Sequence, residues 1–432
     1  MIHHIIEAVG ALSPKGIHII VGHSKDIVIE AINQLPLQQQ VADSLQFVEQ
    51  KEQLGTGHAV MQALPSISPE STAVILNGDI PLIATNTLRR LIDHGDNLNL
   101  LTVTLDDPSG MGRIIRDSQH NIIGVVEHKD ADADQILIKE INTNCMAGNA
   151  GQIKSWLENI DNQNAQGEYY LPDAIGNAVA NNVTVSGMAA DHDFEVLGVN
   201  SKRDLHQLER IYQRQQANSL LEQGVTLMDA DRIDIRGSCE FGADCVLDVN
   251  VILEGNVNIG NNCSIGPNVL IRDSVIGDGS NIDANSVIDQ SQIGENCNIG
   301  PFARVRPQTN LAKGVRIGNF VETKKSEIGE GSKVNHLAYV GDSTIGKNTN
   351  IGAGVITCNY DGVNKHQTII GDNVFVGSDS QLVAPVEIGN NATVGAGSTI
   401  TQDVDADALA ITRVQQRSIA RWSSRANKKS KK

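Results

Sequence analysis

Aromatic side chains are almost missing from this chain: six Phe, five Tyr and two Trp stand among 432 residues. Such a scarcity fits a core too thin for rings, which bury large areas wherever they are used. Cysteine is sparse and scattered at Cys145, Cys239, Cys245, Cys263, Cys297 and Cys358. No C-x-x-C pair occurs, which excludes the usual zinc-ribbon and redox motifs. No apolar run approaches eighteen residues, and no signal-peptide pattern opens the chain, so a soluble cytoplasmic protein with no membrane insertion is expected. The net charge is −17, but residues 413–432 hold eight basic and no acidic side chains, leaving −25 on the rest. An acidic body argues against nucleic acid as a partner. The basic end reads as a solubilising tail.

What is abundant is a six-residue beat in the C-terminal half. An aliphatic residue, usually followed by Gly, recurs at Ile259, Ile265 and Ile271, steps five to Ile276, and resumes at Ile282 and Ile288. It steps five again to Ile293, reaches Ile299, and after a gap returns at Ile328, Val334, Val340, Ile345 and Ile351. A last run goes from Ile370 through Val376, Leu382, Ile388 and Val394 to Ile400. Neither an α-helix nor a two-faced strand has this period. A hexad repeat is the mark of a parallel β-helix. Each hexad supplies a short strand and a corner, and the corners ("IGNNCS", "IGENCN", "IGNNAT") carry the Gly and Asn that left-handed backbone favours. Three hexads close a triangular coil. Such a solenoid has flat faces, so its chemistry must lie between coils, subunits or domains.

The first two hundred residues have another texture. "IHIIVGH" (17–23), "TAVILNGDIPL" (72–82) and "NLLTVTL" (99–105) read as buried strands of a parallel sheet, with helical stretches at 24–34 and 85–94 between them. Ligands bind such sheets at the strands' carboxyl ends, where Gly78-Asp79 places a carboxylate. Gly55-Thr56-Gly57 stands ahead of a helical run, where free backbone N–H groups can hold an anion or a base edge. "MIHHIIEAVGAL" reads as a first crossover helix. From Ser201 to Gly224 a connecting helix is expected, capped by Asp204 or Ser201, with Leu205, Leu208 and Tyr212 on one face.

At this point the residues resemble a family: the bacterial bifunctional N-acetylglucosamine-1-phosphate uridyltransferases / glucosamine-1-phosphate N-acetyltransferases. In the first half the resemblance rests on "EQLGTGHA", "LNGDIPL", "LDDPSGMGRI", "VVEHKDA", "EINT", "NAQGEYYLPD" and "EVLGVN". In the second it rests on "IGPFARVRP", "GNFVETKKS", "KVNHLAYVGD", "NIGAGVITCNYDG", "FVGSDSQLVAPV" and "AITRV". It implies a Rossmann-like uridyltransferase domain over 1–200, a linker helix over 201–224, and a left-handed β-helix acetyltransferase over 225–412. A basic tail covers 413–432. It also implies a homotrimer with acetyl-transfer sites at subunit contacts. Glucosamine-1-phosphate would be N-acetylated from acetyl-CoA. The product would then join UTP, with Mg²⁺, to give UDP-N-acetylglucosamine.

The same resemblance assigns residues. His336 matches the general base, a role suited to histidine. Arg306 and Lys324 match a sugar-phosphate clamp, with Lys365 nearby in the loop "TCNYDGVNKHQ" that interrupts the beat. Tyr339 and Asn350 match sugar-holding residues. Ala353, Asn359, Tyr360, Ser378, Ala396 and Arg413 match the lining of the acetyl-CoA slot. For uridyl transfer, Gln50, Gly55 and Thr56 match the uracil-reading set, and Gly112, Glu127 and Asn142 surround the N-acetylglucosamine ring. Asp79 and Asn200 match the Mg²⁺ ligands, hard oxygen donors for a hard cation. The chain departs from the pattern at its start. The family opens with a strand and a loop of the form L-A-A-G-x-G-T-R-M, then P-K, and this sequence begins after them. One lost charge donor costs about 10²–10³ in rate. The expectation is therefore acetyl transfer intact, uridyl transfer impaired, and the neighbours of that strand left unpaired. A plain nucleotidyltransferase with a non-catalytic, oligomerising β-helix is the competing reading.

Overall fold

The computed structural model describes residues 1–95, 97–164 and 166–420 and divides the chain into two units, Met1–Tyr212 and Gln213–Lys432. Residues 421–432 of the basic tail lie outside the described residues. Among the described residues no helix is long and apolar enough to cross a membrane.

The first unit opens with α1 (Ile2–Gly10), β1 (Ile17–Val21), α2 (Lys25–Asn33), α3 (Gln39–Ser44), β2 (Leu45–Glu49) and α4 (Thr56–Ala63). It continues through β3 (Thr72–Ile75), α5 (Thr85–Asp93), β4 (Leu98–Thr104), β5 (Arg113–Arg116), β6 (Ile122–Val126) and β7 (Glu140–Asn149). α6 (Ala150–Leu157), α7 (Asp173–Ala180) and β8 (Val185–Ala189) complete the series, and α8 (Lys202–Glu222) runs from this unit into the second. The α/β class is as expected, but the strand pairing corrects the expectation of a parallel sheet. Among its described residues only β1–β2 and β4–β8 run parallel, and β7 runs antiparallel to β3, β4 and β5. The cause is local. β5 and β6 form a hairpin turned at His120, whose φ is 64°. The chain therefore enters β7 without the crossover helix that a parallel neighbour needs. The sheet is also in two pieces. Among the described residues β1 pairs with β2 alone, while β3 pairs only with β7 in the six-stranded sheet. Among the described residues, β1 and β3 thus each pair on one side only. β4, packed on both faces, is buried from Leu98 to Val103.

α8 is capped as its sequence suggests. The Asp204 carboxylate accepts from Ser201 N at 2.8 Å and Asn200 N at 3.0 Å, and Ser201 Oγ accepts from Asp204 N at 3.2 Å. Two orphan donors are satisfied reciprocally. Leu208 is buried, but Leu205 is exposed, so the buried stripe omits Leu205.

The second unit is a three-faced prism. One face is an eleven-stranded parallel sheet; the other two merge into a fifteen-stranded sheet because strands such as Ile233–Phe241 and Tyr339–Ile345 bend round their shared corner. Register passes from coil to coil without slippage: Leu247 pairs with Ile265, then Ile282, Ile299, Ile317, Val334 and Ile351. All seven are buried, and each such side chain contributes ~1.5–3 kcal/mol. The apparent gap after Ile299 is not a break. Val305, Leu311 and Ile317 keep the step of six and point inward, and Thr323 takes the next inward place, fully buried. Val305 escaped notice because Arg follows it where Gly follows elsewhere.

A second, smaller beat lies two residues before each aliphatic. Cys263, Ser280, Ser286, Cys297 and Ser332 are buried there. Cys297 Sγ donates to Ala312 O, and Ser332 Oγ to Gly346 O. Each satisfies a carbonyl at the next coil's corner. Burial pushes the Cys263 and Cys297 thiols up, so these are packing residues rather than nucleophiles.

Candidate active sites

One corner of the prism is unlike the others. Nine successive coils place a left-handed residue there: Asn250, Asn268, Asn285, Phe302, Phe320, Leu337, Gly354, Asp379 and Gly397. Asn, Asp and Gly tolerate positive φ; bulky residues do so at a cost. Phe302, Phe320 and Leu337 are also exposed, and the two rings stack with centroids 5.4 Å apart.

The residue before this corner forms a column that the backbone threads together. Leu337 N donates to Asn319 O, Gly354 N to His336 O, Asp379 N to Ala353 O, and Gly397 N to Ser378 O. Asn319, His336, Ala353, Ser378 and Ala396 therefore stand one above another at the inter-strand spacing of about 4.8 Å. His336 ends the strand Lys333–His336 and is exposed. Its Nδ1 lies 2.9 Å from Asn319 Oδ1. Above it the side chains are small, leaving a smooth track on the surface. Arg413 closes the far end, donating to Ala396 O at 2.6 Å.

Across the corner, Tyr339 begins the next strand and pairs in register with Glu322. Its ring lies over Gly341, where any Cβ would collide with the phenol. Glu322 in turn accepts from Arg306 Nη1 at 2.6 Å. Arg306 also faces Lys324, and Lys365 reaches Lys324 from the inserted loop. The adjoining Lys365 ammonium pulls Lys324 below the ordinary lysine value, with burial and Arg306 adding to the shift. Cations crowded in this way favour an anion between them. The loop is pinned at its root by the buried Asn359, whose Nδ2 donates to Asp342 Oδ2 at 2.6 Å. Tyr360 and Lys365 form an antiparallel bridge across it. Asp361 accepts from Asn364 N and Val363 N and pairs with His366, which holds its carboxyl down at about 2. Asn350 sits on the neighbouring face in register with Lys333 and Phe375.

The α/β unit brings its predicted residues into three groups. Gln50 follows β2, and its Nε2 reaches Gly55 O at 3.1 Å and His58 Nδ1 at 3.0 Å. Gly55 has φ 111°, and a Cβ there would strike the Tyr169 backbone. Thr56 Oγ1 accepts from Leu171 N, and the Gly57 amide is taken by Tyr169 O. That one amide is therefore not free for an anion or a base edge. A second group joins Gly112, Glu127 and Asn142. Gly112 O accepts from Asn142 N at 2.9 Å, and a Cβ at Gly112 would lie 3.1 Å from Glu127 Oε1. Burial, then Asp130 and Asp173, raise the Glu127 carboxyl. Asn142 is buried, and its Oδ1 has no hydrogen-bond partner among the described residues, an acceptor that calls for a donor. In the third group Val199 N donates to Asp79 O, and a Cβ on Gly198 would stand 2.9 Å from Asp79 Oδ2. That glycine leaves Asp79 and the 198–200 segment side by side. No cluster of three His, Cys, Asp or Glu occurs among the described residues. An Asp–Asn pair still suits a hard cation that takes its remaining ligands from water and phosphate. No hydrogen bond joins the Gln50 group to the Asp79 pair among the described residues.

Asn319, Asp342 and Glu322 were not singled out from sequence. Asn319 could have been found by counting back one coil, seventeen residues, from His336.

Fold and sites together define a hexapeptide-repeat transferase joined to an α/β nucleotidyltransferase-type unit. Family models agree: residues 233–321 match the GMPPB C-terminal domain, and residues 367–402 match the bacterial transferase hexapeptide (six repeats). The chain is 50% identical over 424 residues to the bifunctional protein GlmU of Marinobacter nauticus, covering 98% of this chain and 92% of that protein. It is likewise 50% identical over 423 residues to the bifunctional protein GlmU of Saccharophagus degradans, with the same coverage. A solved structure of UDP-glucose pyrophosphorylase complexed with UDP-glucose aligns with 50% of this chain and 86% of its own, at TM-score 0.41 and 13% identity. The chain belongs to the bifunctional GlmU family, enzymes with acetyltransferase and uridyltransferase activities and a left-handed β-helix.

Proposed function

We propose that the prism transfers acetyl from acetyl-CoA to the amine of glucosamine-1-phosphate with His336 as general base. The α/β unit then joins the N-acetylated sugar phosphate to UTP. The observation that carries the first step is the column. An exposed imidazole heads a track of small side chains, Ala353, Ser378 and Ala396, one coil apart. A long thin thioester arm suits that track. Asn359, Tyr360 and Arg413 flank it. Arg306, Lys324 and Lys365 hold the sugar's phosphate, and Tyr339 and Asn350 hold its ring. In the α/β unit, Gln50, Gly55 and Thr56 read uracil. Gly112, Glu127 and Asn142 hold the acetylated sugar, with the orphan Asn142 Oδ1 as an acceptor for a sugar or amide donor. Asp79 and Asn200 fit Mg²⁺, which when bound neutralises phosphate charge.

The chain acts as a homotrimer in the cytoplasm. The exposed ladder Phe302–Phe320–Leu337 beside His336 supports self-association there, since apolar corners held at positive φ are otherwise costly.

The test is His336→Ala, with CoA thiol release measured from acetyl-CoA and glucosamine-1-phosphate. A fall in kcat of about 10²–10⁴ is expected. Near-normal turnover would return the prism to a non-catalytic oligomerising role.

A further inference from the structure

A base that takes a proton from an attacking amine must present an unprotonated nitrogen. Neutral imidazole carries one N–H and one bare nitrogen, and the partner of one fixes the state of the other. Among the described residues His336 has one side-chain partner, Asn319, one coil below, with Oδ1 2.9 Å from Nδ1. The two residues are paired in register on adjacent strands, Arg316–Asn319 and Lys333–His336. The contact is thus set by the coil-to-coil ladder rather than by a mobile loop.

An amide stacked in this prism can face either way. In the ladder Asn250, Asn268 and Asn285, each lower amide donates its NH₂ to the oxygen one coil above. Asn319 is reversed. It presents its carbonyl oxygen to the coil above, and a carbonyl accepts only. The proton of the contact must therefore sit on Nδ1.

We propose that Asn319 is the positioning residue of the acetyl-transfer base: its side-chain carbonyl holds Nδ1–H of His336 and leaves Nε2 bare for the acceptor amine. The proposal rests on the reading of His336 as that base. As the amine nitrogen bonds to the acetyl carbonyl carbon, its proton passes to Nε2. When the intermediate collapses, the C–S bond breaks, the thiolate of CoA leaves, and Nε2 returns the proton to sulfur. The Asn319 carbonyl accepts from the same Nδ1–H throughout and stabilises the transient imidazolium. Asn319 touches neither reactant.

The experiment is ¹⁵N NMR of the full chain labelled at histidine, assigned by loss of the His336 signal in His336→Ala, together with acetyl-transfer kinetics. The neutral side chain is expected as the Nδ1–H tautomer. Asn319→Leu, similar in size but unable to accept, should give a mixture of tautomers. Its kcat should fall about tenfold or more, with KM for both substrates within about twofold. Asn319→Asp, which still accepts, should keep the Nδ1–H tautomer and most of kcat. An Nε2–H tautomer in the unaltered chain, or unchanged kcat in Asn319→Leu, overturns the proposal. If His336→Ala retains activity while the tautomer is as stated, it is the general-base reading that fails.

Discussion

The prism and the α/β unit handle one problem, burying a parallel strand's backbone, in opposite ways. In the prism every strand finds its partner one coil away, so each coil repeats the same local solution and, among the described residues, no rung between the ends lacks a neighbour. In the α/β unit pairing is non-local and unrepeated. β7 must meet three strands at once, and among the described residues β1 and β3 each pair on one side only. Repetition makes the prism's stability a sum of near-equal contacts. The α/β unit depends on a few strands in the middle of one sheet.

The sharpest test of that contrast is catalytic. Asp79→Ala should lower pyrophosphate release from UTP about 10²-fold or more while leaving thiol release from acetyl-CoA near its starting rate, and His336→Ala should do the reverse. Parallel pyrophosphate-release and thiol-release assays measure both, and equal deficits would dissolve the distinction. Core truncations come next. Ile317→Ala in the prism and Leu101→Ala in β4 remove fully buried side chains and should each cost ~2–5 kcal/mol. Urea unfolding should be biphasic, each variant moving only its own transition. A single transition shifted by both would mean that the two units unfold together.

Smaller effects belong to the sites. Lys324, lowered by Lys365, should lose its proton before an ordinary lysine does. Sugar-phosphate affinity should then decline early in the alkaline range, and Lys365→Met should delay that decline; calorimetric titration across pH reads both. The smallest effect concerns the inserted loop. Asp361 has a depressed carboxyl, so its contribution is complete above the ordinary carboxylate value and lost as pH falls through about 2. Amide exchange at Val363 and Asn364 should therefore stay slow in mild acid, and Asp361→Asn should speed it at neutral pH.

The period of six exposed the prism's interior because inward residues answer only to the coil next to them. Thr323 and Thr357 were hidden for the same reason in reverse. Their hydroxyls sit at inward positions where an aliphatic was sought, and Thr357 Oγ1 accepts from Gly341 N. The antiparallel run of β7 was illegible because direction is set by the β5–β6 hairpin, and Asp117-Ser118-Gln119-His120 is not among the turn sequences that announce one. Leu205 looked like core because its spacing from Leu208 and Tyr212 is helical, yet the first turn of α8 lies open. The acetyl-transfer residues were legible as motifs, but their assembly as one column needed the coil lengths. The loop 359–367 makes one of those coils twenty-five residues rather than eighteen. Asn319 carried no motif at all.

The column also has a metric consequence. From His336 to Ala396 is three rungs, about 14 Å at the inter-strand spacing, and the backbone ladder permits no fractional rung. The prism is in this sense a ruler graduated in whole coils. A carrier arm must match its markings, and deleting one coil between His336 and Ala396 would shorten the reach by a single graduation while leaving every remaining rung correctly stacked.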